Sequence, residues 1–336
     1  MGEKIQNPDY KGLRVFVTGA GGFIGSHLAE ALVLAGADVK ALVRYTSRGS
    51  WGHLDQVPPQ VRDSLEVVLG DVRDSEQMRV QANDCDVIFH LAALIGIPYS
   101  YEAPQSYLDT NIRGTMNLLD AARSSGKRLL VTSTSEVYGT AVYTPIDEVH
   151  PLQGQSPYSA SKISADKLAE SYYRSFGVNV VTVRPFNTYG PRQSARAVIP
   201  TIVSQILSGS DSLRLGSLEP VRDLTYVSDT VRGFLLAGLA DKAVGQVINL
   251  GNGQGISIGD LAHVIMDATG RQVPITCDGD RLRPPASEVQ LLIAKTDRAR
   301  ELLDWEPQIS LKQGIHKVVD YITENLSAYR ASSYAL

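Results

Sequence analysis

Along the first half of the chain, short and nearly continuous apolar runs alternate with longer stretches in which apolar residues recur at helical spacing. Runs of four to six apolar residues bounded by glycines and polar residues predict strands buried on both faces, as in a parallel sheet. Leu13 to Thr18, Val39 to Val43, Leu65 to Leu69, Val87 to Leu91, Leu129 to Thr132 and Val178 to Val183 have this form. The periodic stretches between them, such as Ser26 to Ala35, Asn111 to Ser124 and Ser159 to Phe176, predict helices. Strand and helix in regular alternation imply an α/β fold, a doubly wound parallel sheet with helices on both faces.

The pattern changes after Arg184-Pro185. From there to about Leu218 the chain carries Pro191, Pro200 and several glycines, and from Ile256 onward it is predicted to be mostly helical, broken at Arg283-Pro284-Pro285. A last sheet strand, Val247 to Leu250, ends in Gly251-Asn252-Gly253. Residues 1–185 and 225–255 are therefore expected to build the sheet domain, and 186–224 with 256–336 a smaller, mostly helical lobe. The last ten residues are expected to form a tail. No internal repeat or low-complexity segment is evident.

Composition narrows the class. The 336 residues are 43% hydrophobic and 20% charged, with a net charge of −4, an ordinary balance for a globular protein that offers no basic field to nucleic acid or anionic lipid. The uncharged, largely apolar run Val87 to Tyr101 falls short of the ~20 apolar residues of a spanning helix. The N-terminal Met1 to Gln6 lacks the apolar core of a signal peptide. Two cysteines are too few for a disulfide framework. These features lead to the expectation of a cytoplasmic protein. The 6 histidines are scattered without ligand spacing, so no metal site is expected.

The first strand opens onto Gly19, Gly22 and Gly25, spaced by three, with Phe23 and Ile24 leading into a helix. In that strand–turn–helix setting the first glycine permits a tight turn, the second lets a pyrophosphate approach the backbone, and the third lets helix pack on strand. The context marks a Rossmann-type dinucleotide site. The second strand lacks the acidic residue that would accept from a ribose 2′-hydroxyl; Arg44 follows Val43 instead, which favours NADP over NAD. Asp71-Val72 after the third strand offers a carboxylate to the adenine amine, and Leu91-Ala92-Ala93 supplies small residues where a dinucleotide would lie close.

Thr132-Ser133-Thr134-Ser135-Glu136-Val137-Tyr138-Gly139 ends the fifth strand, and Tyr158-Ser159-Ala160-Ser161-Lys162 follows about twenty residues on. Tyr158 and Lys162 lie one helical turn apart on one face. The ammonium is expected to lower the phenol pKa, so that Tyr158 serves as base. With 15 tyrosines in the chain the spacing alone is weak, and its location downstream of a dinucleotide turn gives it weight. Glu136 adds a carboxylate that simple alcohol oxidation does not need.

Together, Gly19, Gly22, Gly25, Asp71, Thr134, Tyr158 and Lys162 resemble the extended short-chain dehydrogenase/reductase family over essentially the whole chain. Arg184-Pro185-Phe186-Asn187, Tyr189-Gly190-Pro191-Arg192, Arg222-Asp223 and Arg283-Pro284 resemble its nucleotide-sugar branch. Ser156-Pro157-Tyr158 and Ser50-Trp51-Gly52 look most like the N-acetylglucosamine-nucleotide 4,6-dehydratases of legionaminic-acid-type pathways. The resemblance implies oxidation of a UDP- or GDP-linked sugar at carbon 4 with Tyr158 and Thr134, proton removal from carbon 5 by Glu136, loss of the 6-hydroxyl as water, and hydride return to carbon 6. The cofactor would be regenerated each turnover and stay tightly bound. Dehydratases of the dTDP-glucose type carry Asp where this chain has Ser135, whereas GDP-mannose dehydratases and UDP-glucuronate decarboxylases share the Thr-Ser-Glu triplet. A decarboxylase, a 4-epimerase, a 5,6-dehydratase and a non-enzymatic NADP-sensing protein therefore stay open. By the same resemblance Arg222 and Arg283 meet the substrate diphosphate, Asn187 and Asn111 serve substrate and helix end, Tyr99 walls the sugar pocket, and Arg192 is a further substrate candidate. The long helices after Tyr101 and Tyr158 imply a homodimer.

Overall fold

The computed structural model describes residues 8–329. The expectation made for Met1 to Gln6 and the tail from residue 330 onward lie outside that range. Within it Tyr329 is buried, its hydroxyl donating to the Gln193 carbonyl at 3.1 Å.

Thirteen strands are present among the described residues: β1 Arg14–Thr18, β2 Asp38–Val43, β3 Leu65–Leu69, β4 Val87–His90, β5 Arg128–Thr132, β6 Val180–Pro185, β7 Asn187–Tyr189, β8 Leu213–Leu215, β9 Val221–Tyr226, β10 Val247–Leu250, β11 Gly255–Ser257, β12 Ile275–Cys277 and β13 Leu291–Leu292. Seven form the main sheet in the order β10-β6-β5-β4-β1-β2-β3, and every pairing in it is parallel. The order reverses direction between β1 and β4. A doubly wound sheet opens a crevice for ligands at that switch, outside the carboxyl ends of the strands.

The strand sequences explain the layering. Val15, Phe16 and Val17 of β1 are wholly buried, as are Ile88 and Phe89 of β4, because helices cover both faces. On one face Val15, Val17, Phe89 and Leu130 meet the Phe23–Leu34 and Val227–Leu239 helices; on the other, Phe16, Ile88 and Leu129 meet Leu118, Leu119 and Ala169.

The second half contains more strand than the helical expectation allowed. β9 pairs antiparallel with β11 and parallel with β7 and β13, while β8 pairs with β12. Apart from β9 these strands are two or three residues long, too short for an alternation to register, and in β9 Arg222 and Asp223 interrupt the apolar run. They matter because β9 carries Arg222 and β7 carries Asn187.

Backbone crowding under the glycine turn is severe. Gly19 sits at φ +72°, and a Cβ on it would lie 2.7 Å from the Ala92 nitrogen. A Cβ on Gly25 would lie 2.1 Å from the Gly19 carbonyl oxygen, a contact no rotamer relieves. Gly25→Ala is expected to destabilise the protein by about 1–3 kcal/mol through overpacking; urea unfolding that returns the wild-type midpoint would contradict the close helix–strand packing.

Candidate active site

At the centre of the crevice the Phe23–Leu34 helix begins at Gly22, with no side-chain cap and no acidic residue in its first turn. Its free N–H groups and positive dipole end suit an anion. Gly19 and Gly25 keep the backbone low beneath that end, so the cradle fits a dinucleotide pyrophosphate. Phe23 and Ile24 are half-buried at the helix start, the Phe23 ring meeting His27 edge-on at 5.8 Å. Arg44 is exposed at the end of β2, near enough to Asp71 to help hold its carboxyl below the usual range, although the Arg73 hydrogen bonds dominate that effect. Arg73 takes both Asp71 oxygens at 2.9 and 2.7 Å. The neighbouring Val72 is packed into the core against Gly114, its carbonyl accepting from Asn117. Leu91, Ala92 and Ala93 line the end of β4, half-buried.

A buried chain of hydrogen bonds holds this edge. Thr115 donates to the Asn111 carbonyl at 2.6 Å, so its oxygen receives the Nε2 proton of His90 at 3.1 Å. His90 Nδ1 then accepts from Thr18 at 2.8 Å, and Thr18 Oγ1 accepts from the Ala92 amide. Burial pulls His90 down to about 3, with the Lys162 charge in support, so the ring is neutral and its tautomer set. Sequence inspection missed this role for His90; Thr18 and Thr115 show no spacing that would connect them to it.

The second group of residues comes from β5 and the Pro157–Phe176 helix. Thr134 caps a short 3-10 turn, Ser135–Tyr138, by accepting from the Glu136 amide at 3.2 Å. Ser135 is buried and Glu136 half-buried in that turn. The helix is opened by a Ser156–Ser159 capping box with Pro157 at its first position. That start places Tyr158 and Lys162 on the buried side, 7% and 4% exposed. The Thr134 hydroxyl stands close enough to Tyr158 to favour the ionised phenol against burial. The Tyr158 ring meets Tyr107 edge-on at 6.3 Å, and Tyr107 in turn lies 6.2 Å from Tyr99. Tyr99 is exposed, on the wall expected for a sugar.

Three of the candidate residues make contacts that the sequence did not show. The Lys162 ammonium donates to the Thr132 carbonyl at 2.6 Å. Burial pushes Tyr158 up, and the Glu136 charge adds to it against the Thr134 hydrogen bond. Burial likewise pulls Lys162 down to about 8, Asp166 opposing. Asn111 uses its side chain on the Leu94 amide and carbonyl at 2.8 and 3.0 Å and on Ser161 at 2.9 Å, in keeping with a role at the helix end. It pins the loop after β4 to the helix from a π-helical turn, Leu108–Arg113. Arg192 is likewise committed, pairing with Glu30 at 2.5 Å and donating to Ser26, both on the Phe23–Leu34 helix.

The remaining candidates come from the second half of the chain, Asn187 and Arg222 on the small sheets and Arg283 on the loop before β13. Arg222 is 7% exposed and shares Glu288 Oε1 with Arg283, at 3.2 and 3.5 Å. Burial pushes Arg222 down, and the Glu136 and Glu288 charges oppose this, so Arg222 lies within electrostatic reach of the Thr134–Tyr158 group. The next residue, Asp223, is wholly buried and accepts from the amides of Asn252, Gly253 and Ala294, which fixes β9. Buried atoms without a partner are Thr132 Oγ1, Ser133 Oγ and Asn187 Oδ1 at the ends of β5 and β6; such groups usually meet a partner. No group of His, Cys, Asp and Glu among the described residues is placed to hold a metal, and no helix there is long and apolar enough to cross a membrane.

This arrangement agrees with comparisons to known proteins. Residues 16–318 match the family model for GDP-mannose 4,6 dehydratase. The chain is 34% identical over 324 residues to UDP-glucuronic acid decarboxylase 1 of Arabidopsis thaliana, covering 92% of this chain and 69% of that one. It is 33% identical over 316 residues to UDP-glucose 4-epimerase of Mycolicibacterium smegmatis, covering 92% and 98%. DesIV, a dTDP-glucose 4,6-dehydratase from Streptomyces venezuelae solved with NAD bound, superposes with a TM-score of 0.84 at 30% identity, over 95% of this chain and 99% of that one. The fold and site define an enzyme of the extended short-chain dehydrogenase/reductase type. The chain belongs to the GDP-mannose 4,6-dehydratase-like family of nucleotide-sugar dehydratases, epimerases and decarboxylases.

Because Arg192 is tied to Glu30, Arg192→Met should lower stability by roughly 1–3 kcal/mol through the unpaired carboxylate and leave the sugar-nucleotide KM unchanged. A raised KM with unchanged urea unfolding would return Arg192 to the substrate.

Proposed function

We propose that the chain is an NADP-dependent 4,6-dehydratase acting on UDP- or GDP-N-acetylglucosamine. The observation that carries this reading is Glu136, a carboxylate on the same turn as Thr134 and within electrostatic reach of both Tyr158 and Arg222. An epimerase needs no base at carbon 5.

NADP, held at the Gly19–Gly25 turn, would supply a hydride acceptor for carbon 4 and, once reduced, a hydride donor for carbon 6. Tyr158 accepts the proton of the sugar 4-hydroxyl, oriented by the Thr134 hydroxyl. A phenol kept high by burial ionises only when positive charge is near, which the oxidised nicotinamide and the Lys162 ammonium bring. Glu136 removes the carbon 5 proton once the neighbouring ketone has acidified it. The leaving 6-hydroxyl is then protonated by Glu136 itself, or by a water on Ser135, since this chain lacks the Asp of the dTDP-glucose type. Arg222 and Arg283 bind the diphosphate, Asn187 turns its unpartnered oxygen to the substrate, and Tyr99 flanks the sugar. Residues 1–185 with 225–255 form the cofactor half and the rest the substrate lobe. Exposed Met116 on the Gly114–Ser125 helix, with Tyr173 and Phe176 on the Pro157–Phe176 helix, supports a homodimer through these helices.

A decarboxylase reading has its own support. It needs a cation near carbon 6, and an Arg196 Nη1 lies beside Gly96, 3.3 Å from where a Cβ would stand, on the wall that carries Tyr99.

Glu136→Gln should still reduce the bound cofactor on adding substrate, seen as absorbance of the reduced nicotinamide, and stall there with no deoxy-sugar released. Normal product formation would remove Glu136 as the base. Arg44→Ala should weaken NADP at least tenfold more than NAD, as expected for loss of one charge-assisted contact; an unchanged ratio of affinities would refute the NADP preference.

A further inference from the structure

Four residues beyond Lys162 the same helix carries Asp166, so Tyr158, Lys162 and Asp166 form one buried stripe. Asp166 is 4% exposed and accepts from Arg184 of β6, at 2.9 Å from Nε and 2.9 Å from Nη2. The other Asp166 oxygen, Oδ1, is buried without a partner. Arg184 Nη1 reaches on to the Tyr138 hydroxyl at 2.9 Å, and its guanidinium stands 4.9 Å over the Tyr138 ring. Tyr138 closes the turn that begins at Thr134 and holds Glu136. Its hydroxyl donates to Asn249 Oδ1 at 2.6 Å on β10, the strand beside β6. One guanidinium thus ties the helix bearing the phenol and ammonium to the turn bearing the hydroxyl and carboxylate.

A buried ion pair is poor value as a stabiliser, since apolar residues of similar volume often do as well. What apolar residues cannot supply is a fixed negative charge one helical turn from Lys162, or a directed bond from helix to turn. We infer that Asp166 and Arg184 are positioning residues: Asp166 keeps Lys162 charged in the interior, and Arg184, through Tyr138, sets the distance between Tyr158 and the Thr134–Glu136 turn. The inference rests on the proposed roles of Tyr158 and Lys162.

The surroundings of Lys162 leave Asp166 as its counter-charge. On its own helix Tyr158 is neutral, its phenol pushed up by burial. From β4 comes His90, neutral and locked between two threonines. From β5 comes the uncharged Thr132 carbonyl, and from β6 Arg184, whose positive charge lies beyond Asp166. Burial drives Lys162 toward the free amine and Asp166 opposes it. Removing the Asp166 charge must therefore shift Lys162 titration to lower pH.

The test follows the lysine Cε resonance of Lys162 across pH in isotope-labelled protein, a readout that needs no substrate and stands apart from the reaction assigned above. Asp166→Asn should move the midpoint to lower pH, and Asp166→Glu should restore it. If Asp166→Asn does not fold, Asp166→Asn with Arg184→Met removes both charges and carries the same expectation. An unmoved midpoint overturns the electrostatic role. Tyr138→Phe keeps the ion pair and cuts the tie to the turn. It should leave the midpoint in place and lower kcat roughly tenfold, the scale of a small misplacement of reacting groups, with KM unchanged. Wild-type kcat in Tyr138→Phe overturns the positioning role, whereas wild-type protein inert toward every nucleotide sugar would defeat the reaction and leave the midpoint test intact.

Discussion

Everything in the crevice depends on how closely two backbones meet where β1 ends. Gly19 lies against the Leu91–Ala92 peptide and under Gly25, so that the first helix starts directly above the ends of β1 and β4. Because all seven strands of the main sheet run the same way, each delivers its carboxyl end to that edge. β1 brings the glycine turn, β4 the small-residue wall, β5 the Thr134–Glu136 turn and β6 the segment leading to Asn187. A side chain at Gly19 or Gly25 would push the helix off the sheet, and the anion site with it.

Around that edge the protein arranges charge in a low-dielectric interior where unpaired groups are costly. His90 is kept neutral by a fully assigned hydrogen-bond chain. Lys162 is held against the Thr132 carbonyl with Asp166 as its counter-charge, and Arg222 lies between the carboxylates of Glu136 and Glu288. Burial raises the Tyr158 phenol, and the Thr134 hydroxyl opposes this.

Much of this was legible in the residues. The apolar runs of the main sheet, the spaced glycines and the pairing of Thr134 with Tyr158 and Lys162 depend on local sequence and on strand order, which a doubly wound fold makes regular. What stayed hidden depends on distant partners. Arg192 reads as a pocket arginine until Glu30, 162 positions away, is seen to take it. Asn111 reads only as a polar group at a helix end until the Leu94 backbone is seen to use its amide. The strands β7, β8 and β11 to β13 are too short to show a period, and charged residues interrupt β9, so the surface that carries Arg222 could not be drawn in advance. The pull of Thr132 on Lys162 is a backbone contact that no side-chain motif encodes.

The central claim is that oxidation at carbon 4 is followed by removal of the carbon 5 proton and loss of water. Proton NMR of UDP- and GDP-N-acetylglucosamine incubated with the protein and NADP in heavy water addresses it most directly. The account predicts a new methyl resonance at carbon 6 with deuterium at carbon 5 for one of the two substrates. Silence from both, with a pentose formed from UDP-glucuronate, would contradict it and make the Ser135-Glu136 pair part of a decarboxylase.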